Sequence, residues 1–284
     1  MFDQAFVGLI AKAEEACMGE PERGNYTGPD GLLMCGNCHQ PRQMRLEVPL
    51  IGWRTVPVVC ACEKARRDEE AARQAAAERQ MRVDELRMNG IASRAHQEMT
   101  FAADDGSDPR MTTIATNYAQ NWREIRQQPA PGLLLTGGVG GGKTFWASAI
   151  ANALIERGYS AMVTTVPALI TAISQDFERD KVRVLNNIAA VDLLVLDDIG
   201  VERDSAYGHE KLYEIINARY LSKRPLIVTT NLSFNELQNP ANMNYKRVFD
   251  RIIGMTRPLH VKADGRRERI ARESARRMDE LLGL

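Results

Sequence analysis

Residues Gly137-Gly138-Val139-Gly140-Gly141-Gly142-Lys143-Thr144 spell a complete G-x-x-x-x-G-K-[ST] loop, and nothing else in the chain so narrows the folds open to it. The apolar run Leu133-Leu134-Leu135 enters the loop, and the helix-forming Phe145-Trp146-Ala147-Ser148-Ala149-Ile150 leaves it. Strand, glycine turn and helix in that order gather backbone amides at a helix N-terminus, where N–H groups and the helix dipole favour an anion. The pattern predicts a nucleoside triphosphate site in an α/β fold whose parallel sheet is flanked by helices. Residues Gly137 to Phe145 would wrap the phosphates, Lys143 would meet the β/γ oxygens, and the Thr144 hydroxyl would hold Mg²⁺.

The second half of an ATP site needs a buried strand ending in acid, and Val191-Asp192-Leu193-Leu194-Val195-Leu196-Asp197-Asp198-Ile199-Gly200 has that form. Asp197 would hold Mg²⁺, directly or through water, and Asp198 stands where a carboxylate would polarise the attacking water. A third strand, Pro225 to Asn231, follows a helical stretch from Tyr207 to Lys223 and makes Asn231 the candidate γ-phosphate sensor. That assignment rests on order along the chain. Ser233-Phe234-Asn235-Glu236 reads as a capping box, and Met243 to Ile253 as a helix carrying Arg247 and Arg251 on one face.

A chain of 284 residues, 44% hydrophobic, suffices for one large α/β domain and a small appendage. Lys+Arg and Asp+Glu balance at 37 each, so no global basic field advertises nucleic acid. The opening residues lack the basic start and apolar core of a signal peptide, and no apolar run approaches the roughly 20 residues that span a bilayer. A cytoplasmic protein with no membrane partner is expected. Composition marks three zones: a Gly- and Cys-containing module over 1–62, an Ala-, Arg- and Glu-rich linker helix over 63–90, and the nucleotide domain over 91–284. The helix carries acid-before-base pairs Glu63/Arg67, Glu69/Arg73 and Glu78/Arg82, and its sparse apolar positions suit either a solvated connector or a partner-binding or coiled-coil face.

Four of the five cysteines pair as Cys35-x-x-Cys38 and Cys60-x-Cys62, with an extended Val-, Ile- and Trp-containing segment between. Two short turns can each present two thiolates to one tetrahedral ion, so a structural Zn²⁺ site with no open position is expected. The C-x-C half is tighter than usual. His39 could replace one ligand, and the alternative to a metal is four buried or redox-active thiols.

GGVGGGKT, LLVLDDIG, IVTTN and RVFDRI, in this order and spacing, resemble the AAA+ ATPases of the DnaC-type helicase-loader and IstB-type transposition-helper group over about residues 91–265. The cysteine module followed by a charged helix is similar to the N-terminal part of the loaders and favours that branch. The resemblance implies an AAA+ P-loop domain behind a zinc-ribbon-like module that grips a hexameric replicative DNA helicase and delivers it onto single-stranded DNA. It also implies a homo-oligomer in an open helical arc, with Arg251 matching the arginine that reaches the γ-phosphate in a neighbouring subunit. Asp198 stands where glutamate is commonest in the superfamily, which predicts slow hydrolysis and ATP acting as an assembly and release switch. A transposition helper and a nucleotide-gated adaptor with little hydrolysis are the alternatives.

The resembled loaders line their arc with a helical insertion after the second strand and a loop after the acid-ended strand, which correspond here to Phe177-Glu178-Arg179-Asp180-Lys181 and Arg203-Asp204-Ser205-Ala206-Tyr207. Phe177, Arg179, Arg203, Ser205 and Tyr207 combine aromatic platforms with cations, as sequence-neutral strand binding does, though ordinary loops also carry such pairs. Arg266 to Leu282 reads as an amphipathic terminal helix, packed or lid-like rather than a DNA arm, and the resemblance loosely carries a nucleotide contact to Arg269. Phe2, Phe6, Leu9 and Ile10 form an apolar helical face suited to docking or to covering the metal module.

Overall fold

Leu133-Leu134-Leu135, Leu193 to Leu196 and Leu226-Ile227-Val228 are uninterrupted apolar runs, the pattern of strands covered on both faces. They become the middle of a five-stranded, wholly parallel sheet in a computed structural model that describes residues 24–49, 51–174, 178–200, 206–262 and 265–284. The contacts divide the chain into two compact units, Met1–Arg79 and Gln80–Leu284.

In the second unit the strands are β5 (Gly132–Thr136), β6 (Ala161–Thr165), β7 (Leu193–Ile199), β8 (Leu226–Thr230) and β9 (Thr256–His260), in the order β6-β7-β8-β5-β9. Alternate side chains divide two cores. Leu133, Leu135, Val195 and Ile227 face one, whereas Leu134, Leu194, Leu196 and Val228 face the other. Helix α5 (Lys143–Glu156) leaves β5 on the first face and is buried almost throughout, packed by α3 (Pro109–Gln120), which starts on an Asp108 cap with Pro109 in its first turn. In the chain α3 stands between the short α2 (Arg94–Glu98) and α4 (Trp122–Ile125). The second face is covered by α6 (Val166–Ser174), α7 (Glu178–Ala190), α8 (Ala206–Ser222), the short α9 (Phe234–Gln238) and α10 (Lys246–Met255).

The crossover from β5 through α5 lands on the far edge, β6, and the chain then fills inward with β7 and β8 before β9 closes the other side of β5. The carboxyl ends of β7, β8 and β5 are consequently neighbours where strand order reverses, the place at which open α/β sheets bind ligands. The opposite end is stapled by Arg219, fully buried on α8, whose guanidinium donates to the carbonyls of Ile188, Val191, Asp192 and Pro225. Burial pulls its pKa down to about 9, which still leaves it charged at neutral pH. The Asp192 carboxylate beside it accepts from Arg126, Arg224, and the backbone and hydroxyl of Ser160.

Entry into this unit is tight. A Cβ on Gly90 would lie 1.8 Å from the Ala161 carbonyl oxygen, and Ile91 bridges Val163 at the edge of β6. The Asn152 amide on α5 then donates to the carbonyls of His96 and Met99.

In the first unit, β1 (Tyr26–Thr27) pairs with β2 (Leu33–Met34) and β3 (Gln43–Val48) with β4 (Gly52–Pro57), both antiparallel. The linker helix α1 runs Ala61–Gly90, starting two residues earlier than expected and ending at the expected Gly90, so its sequence runs from the first unit into the second. Glu63 pairs with Arg67 as anticipated and also with Arg66, which reaches Glu70, while Glu69/Arg73 and Glu78/Arg82 make no pair. No helix among the described residues is long and apolar enough to cross a membrane.

Candidate nucleotide site and thiol cluster

The loop between β5 and α5 can form because Gly137 and Gly142 occupy backbone that side chains resist. Gly137 has φ +141° and passes so close to Val261 that a Cβ would sit 2.1 Å from its carbonyl oxygen, while Gly142 has φ +86° and opens α5. Lys143 is buried and folds back across the loop. Its ammonium donates to Gly137 O, Gly138 O and Asn231 Oδ1, each at 2.8 Å.

The Thr144 hydroxyl donates to Asp197 Oδ1 at 2.8 Å. That separation fits two ligands on neighbouring corners of a Mg²⁺ octahedron, about 3.0 Å for bonds of about 2.1 Å. Asp197 ends the regular part of β7. The ladder to β8 shifts register between Leu196 and Ile199, and Asp198 sits in that irregularity with φ +56°, a left-handed conformation that Asp tolerates better than most residues. The bulge re-aims Asp198 so that its Oδ1 accepts from Asn231 Nδ2 at 2.9 Å.

Asn231 follows β8 and touches both groups. Lys143 can only donate and a carboxylate accepts, so the amide has one consistent orientation, oxygen toward the lysine and nitrogen toward Asp198. Sequence reasoning overlooked Thr229. Its buried hydroxyl donates to Asp197 Oδ1 at 2.6 Å and accepts from the Asp198 backbone N–H at 2.8 Å, fixing both acids at once. The signal was present in two consecutive threonines ending an otherwise apolar buried strand. Lys143, Thr144, Asp197, Asp198 and Asn231 are thus brought together, and Arg251 lies elsewhere. Arg251, on α10, stacks over Tyr213 and Tyr220 of α8 at 4.4 and 5.5 Å from their ring centres.

Of the DNA candidates, Phe177, Arg203, Ser205 and the side chain of Arg179 lie outside the described residues, as do Phe2, Phe6, Leu9 and Ile10. Tyr207 is exposed, with the Lys211 ammonium 5.4 Å from its ring centre. The terminal helix α11 (Arg266–Leu282) forms, but every residue from Ala271 onward is exposed, so it is not packed as expected. Its mean surface is too charged to compete for the core, and Arg269 binds Asp105 at 2.7 Å rather than any residue of the glycine loop.

In the first unit the Cys35–Cys38 turn closes through Cys35 N–H to Gln40 O and His39 N–H to Cys35 O, and Cys60 and Cys62 stand at the start of α1. The Gln40 side chain accepts from Ala61 N–H, which ties the helix start to the turn. All four sulfurs lie within 4.8 Å of one another, with Cys62 Sγ 3.4 Å from those of Cys35 and Cys60. Tetrahedral zinc with bonds of about 2.3 Å spaces its sulfurs about 3.8 Å apart, so the cage fits. Backbone N–H groups of Cys38 and Asn37 pull the Cys35 thiol down to about 6, and its hydrogen bond with Cys60 pushes Cys62 up to about 12. His39 takes a left-handed φ of +57° that turns its ring toward Tyr26, whose hydroxyl lies 3.1 Å from Nδ1. It stands outside the four-sulfur set.

Comparison with known proteins agrees with this geometry. The replicative helicase loader DnaC of Escherichia coli (strain K12) is 34% identical over 122 residues, covering 42% of this chain and 49% of that protein. The replicative helicase loader DnaI of Bacillus subtilis (strain 168) is 27% identical over 182 residues, covering 59% and 58%. The chain spans about half the length of the curated relatives it matches. Among solved structures, a crystal structure of DnaI superposes with TM-score 0.50 at 25% identity, over 61% of this chain and 93% of that one. A crystal structure of the DnaC helicase loader, at 24% identity and TM-score 0.50, shares the fold, that of an AAA+ P-loop domain. The model of the IstB-like ATP binding protein family matches residues 54–274, and to that family the chain belongs.

Proposed function

We propose that this chain is an ATP-dependent loader that binds a hexameric replicative DNA helicase and delivers it onto single-stranded DNA in the cytoplasm. The observation that carries the ATP-dependent part is the joined set Lys143, Thr144, Asp197, Thr229, Asn231 and Asp198 at three adjacent strand ends. The loader reading is supported by the DnaC and DnaI relatives, both named replicative helicase loaders. The transposition-helper reading has the family description alone behind it.

In this reading Gly137 to Phe145 hold the phosphates, and Lys143 exchanges its carbonyl partners for β/γ oxygens. Thr144 and Asp197 hold Mg²⁺, which supplies charge neutralisation at the phosphates. Asp198 accepts hydrogen from the attacking water, and Asn231 keeps that carboxylate oriented. The short arm of Asp198, fixed in a bulge, makes turnover slow, so ATP serves as an assembly and release switch. Arg251 supplies positive charge to the nucleotide of a neighbouring subunit in an open homo-oligomeric arc. The four cysteines hold Zn²⁺ in a structural role, within an N-terminal module (1–62) that grips the helicase and continues through the 63–90 linker helix to the AAA+ domain (91–284). Phe177, Arg179, Arg203, Ser205 and Tyr207 line the path of single-stranded DNA.

Light scattering on a size-exclusion column tests this, using the full chain mixed with the replicative helicase of its own host, with and without ATP. A complex whose mass responds to ATP is expected. No complex, from protein that binds ATP normally, would overturn the loader reading and make duplex DNA the next ligand to try.

A further inference from the structure

Arg251 is held in an unusual way. An arginine on an amphipathic helix ordinarily finds a carboxylate, yet Arg251 has none among the described residues, and neighbouring Asp250 pairs instead with Lys246 at 3.3 Å. Its Nη1 is shut off from solvent and has no hydrogen-bond partner among the described residues. What holds the guanidinium is π density, the Tyr213 ring at 4.4 Å and the Tyr220 ring at 5.5 Å. Seven residues, or two turns, separate these tyrosines on α8, so they share one face. Tyr213 is packed against the core, and Tyr220 stands 47% exposed as the outer wall.

A carboxylate in this place would cancel the charge of Arg251. Two aromatic faces orient the planar guanidinium and leave its charge uncancelled, which suits a cation destined for phosphate. We propose that Tyr213 and Tyr220 are positioning residues that form a tray holding Arg251 ready for the triphosphate bound in an adjoining copy of this chain. The inference rests on the reading of Arg251 as a residue acting in trans, and the test separates the two.

Single-turnover and steady-state ATP hydrolysis are measured on the full chain at rising concentration, with a single-stranded poly(dT) oligonucleotide as probe, for Arg251→Ala, Tyr213→Leu/Tyr220→Leu, Tyr213→Phe/Tyr220→Phe and Tyr220→Ala. The last alters only an exposed ring and keeps the test open if the double leucine protein folds poorly. Arg251→Ala and the leucine pair should bind ATP like the parent and lose at least tenfold in turnover. Tyr220→Ala should lose severalfold, and the phenylalanine pair, which keeps both aromatic faces, should stay within twofold of the parent. Each slow variant is then mixed with Asp198→Asn subunits, which keep the arginine and its tray but lack the acid. Restored hydrolysis in the mixtures is expected, because an intact nucleotide site then meets an intact arginine.

If Arg251→Ala turns over like the parent, the trans reading fails and the tray with it. If Arg251→Ala is slow and rescued on mixing while the tyrosine variants are fast, or are slow without rescue, the trans reading survives and the tray is refuted.

Discussion

Replacing Thr229 by valine removes one hydroxyl and almost no volume, so it isolates what that hydroxyl does. Two bonds vanish, the donation to Asp197 Oδ1 at 2.6 Å and the acceptance from Asp198 N–H at 2.8 Å. A hydrogen bond to a charged acceptor contributes about 1.5–3 kcal/mol, and a backbone donor left without a partner costs about 1–3 kcal/mol. The methyl that valine adds at this buried position returns about 0.8 kcal/mol. The net loss is then about 2–5 kcal/mol, which for a unit the size of Gln80–Leu284 lowers Tm by roughly 4–20 °C. Thr229→Ser keeps the hydroxyl, loses only a buried methyl, and should cost about 1 kcal/mol. Thermal unfolding of the nucleotide-free proteins therefore ranks parent above serine above valine. A valine protein as stable as the parent, or more stable than the serine protein, would refute the assignment of Thr229 as the clamp on both acids.

Arg219→Met leaves the carbonyls of Ile188, Val191, Asp192 and Pro225 without the donor they share and should cost about 3–5 kcal/mol, read as a drop of a molar or more in the urea midpoint. An unchanged midpoint would show the buried guanidinium to be dispensable. Cys62→Ser should cut tightly held zinc from one equivalent toward none by elemental analysis, and His39→Gly should leave it at one, since the histidine ring turns to Tyr26. Loss of zinc in the His39 variant would make that residue a ligand. Because Cys62 is held protonated by its thiol neighbours, with a pKa near 12, metal uptake must release its proton, so apparent zinc affinity should rise as pH rises through neutrality. A pH-independent affinity measured by competition with a chelator would contradict that.

What could be read directly was whatever depends on fixed local offsets. The glycine loop, the acid pair, the Ser233–Glu236 capping box and the two cysteine pairs each carry their geometry in a few consecutive residues, and each forms. Strands β6 and β9 were invisible for the opposite reason. Ala161-Met162-Val163-Thr164-Thr165 is apolar only over its first three residues, before two threonines, and Thr256-Arg257-Pro258-Leu259-His260 has no continuous apolar run; both are edge strands that owe their form to the ladders of β7 and β5. The role of Arg219 was hidden by its charge, though it continues the stripe Leu212, Ile215, Ile216 at helical spacing, a place where a lone cation must find acceptors. The Asp198 bulge had no sequence signal, because the left-handed turn arises from the shifted register against β8.

In the proposed function, the resting hydrogen bonds of Lys143 offer a route by which nucleotide arrival would reach Asp198. An ammonium has three donors, and here Gly137 O, Gly138 O and Asn231 Oδ1 take one each. A triphosphate would exchange these neutral acceptors for anionic oxygens, a favourable trade because the ammonium then gains the attraction of a full opposite charge. The exchange would free the Asn231 oxygen and leave its nitrogen on Asp198, so that one side chain would connect phosphate binding to the acid. Asn231→Ala should therefore act with opposite signs on the two steps. Lys143 loses a competing acceptor, so ATP binding by equilibrium titration should hold or tighten, whereas Asp198 loses its donor and turnover should fall about tenfold or more, of the order expected for misplacing a general base. Weaker binding with unchanged turnover would mean that Asn231 holds nucleotide rather than the carboxylate, and the link from lysine to acid would have to run through the Thr144–Asp197–Thr229 side of the site.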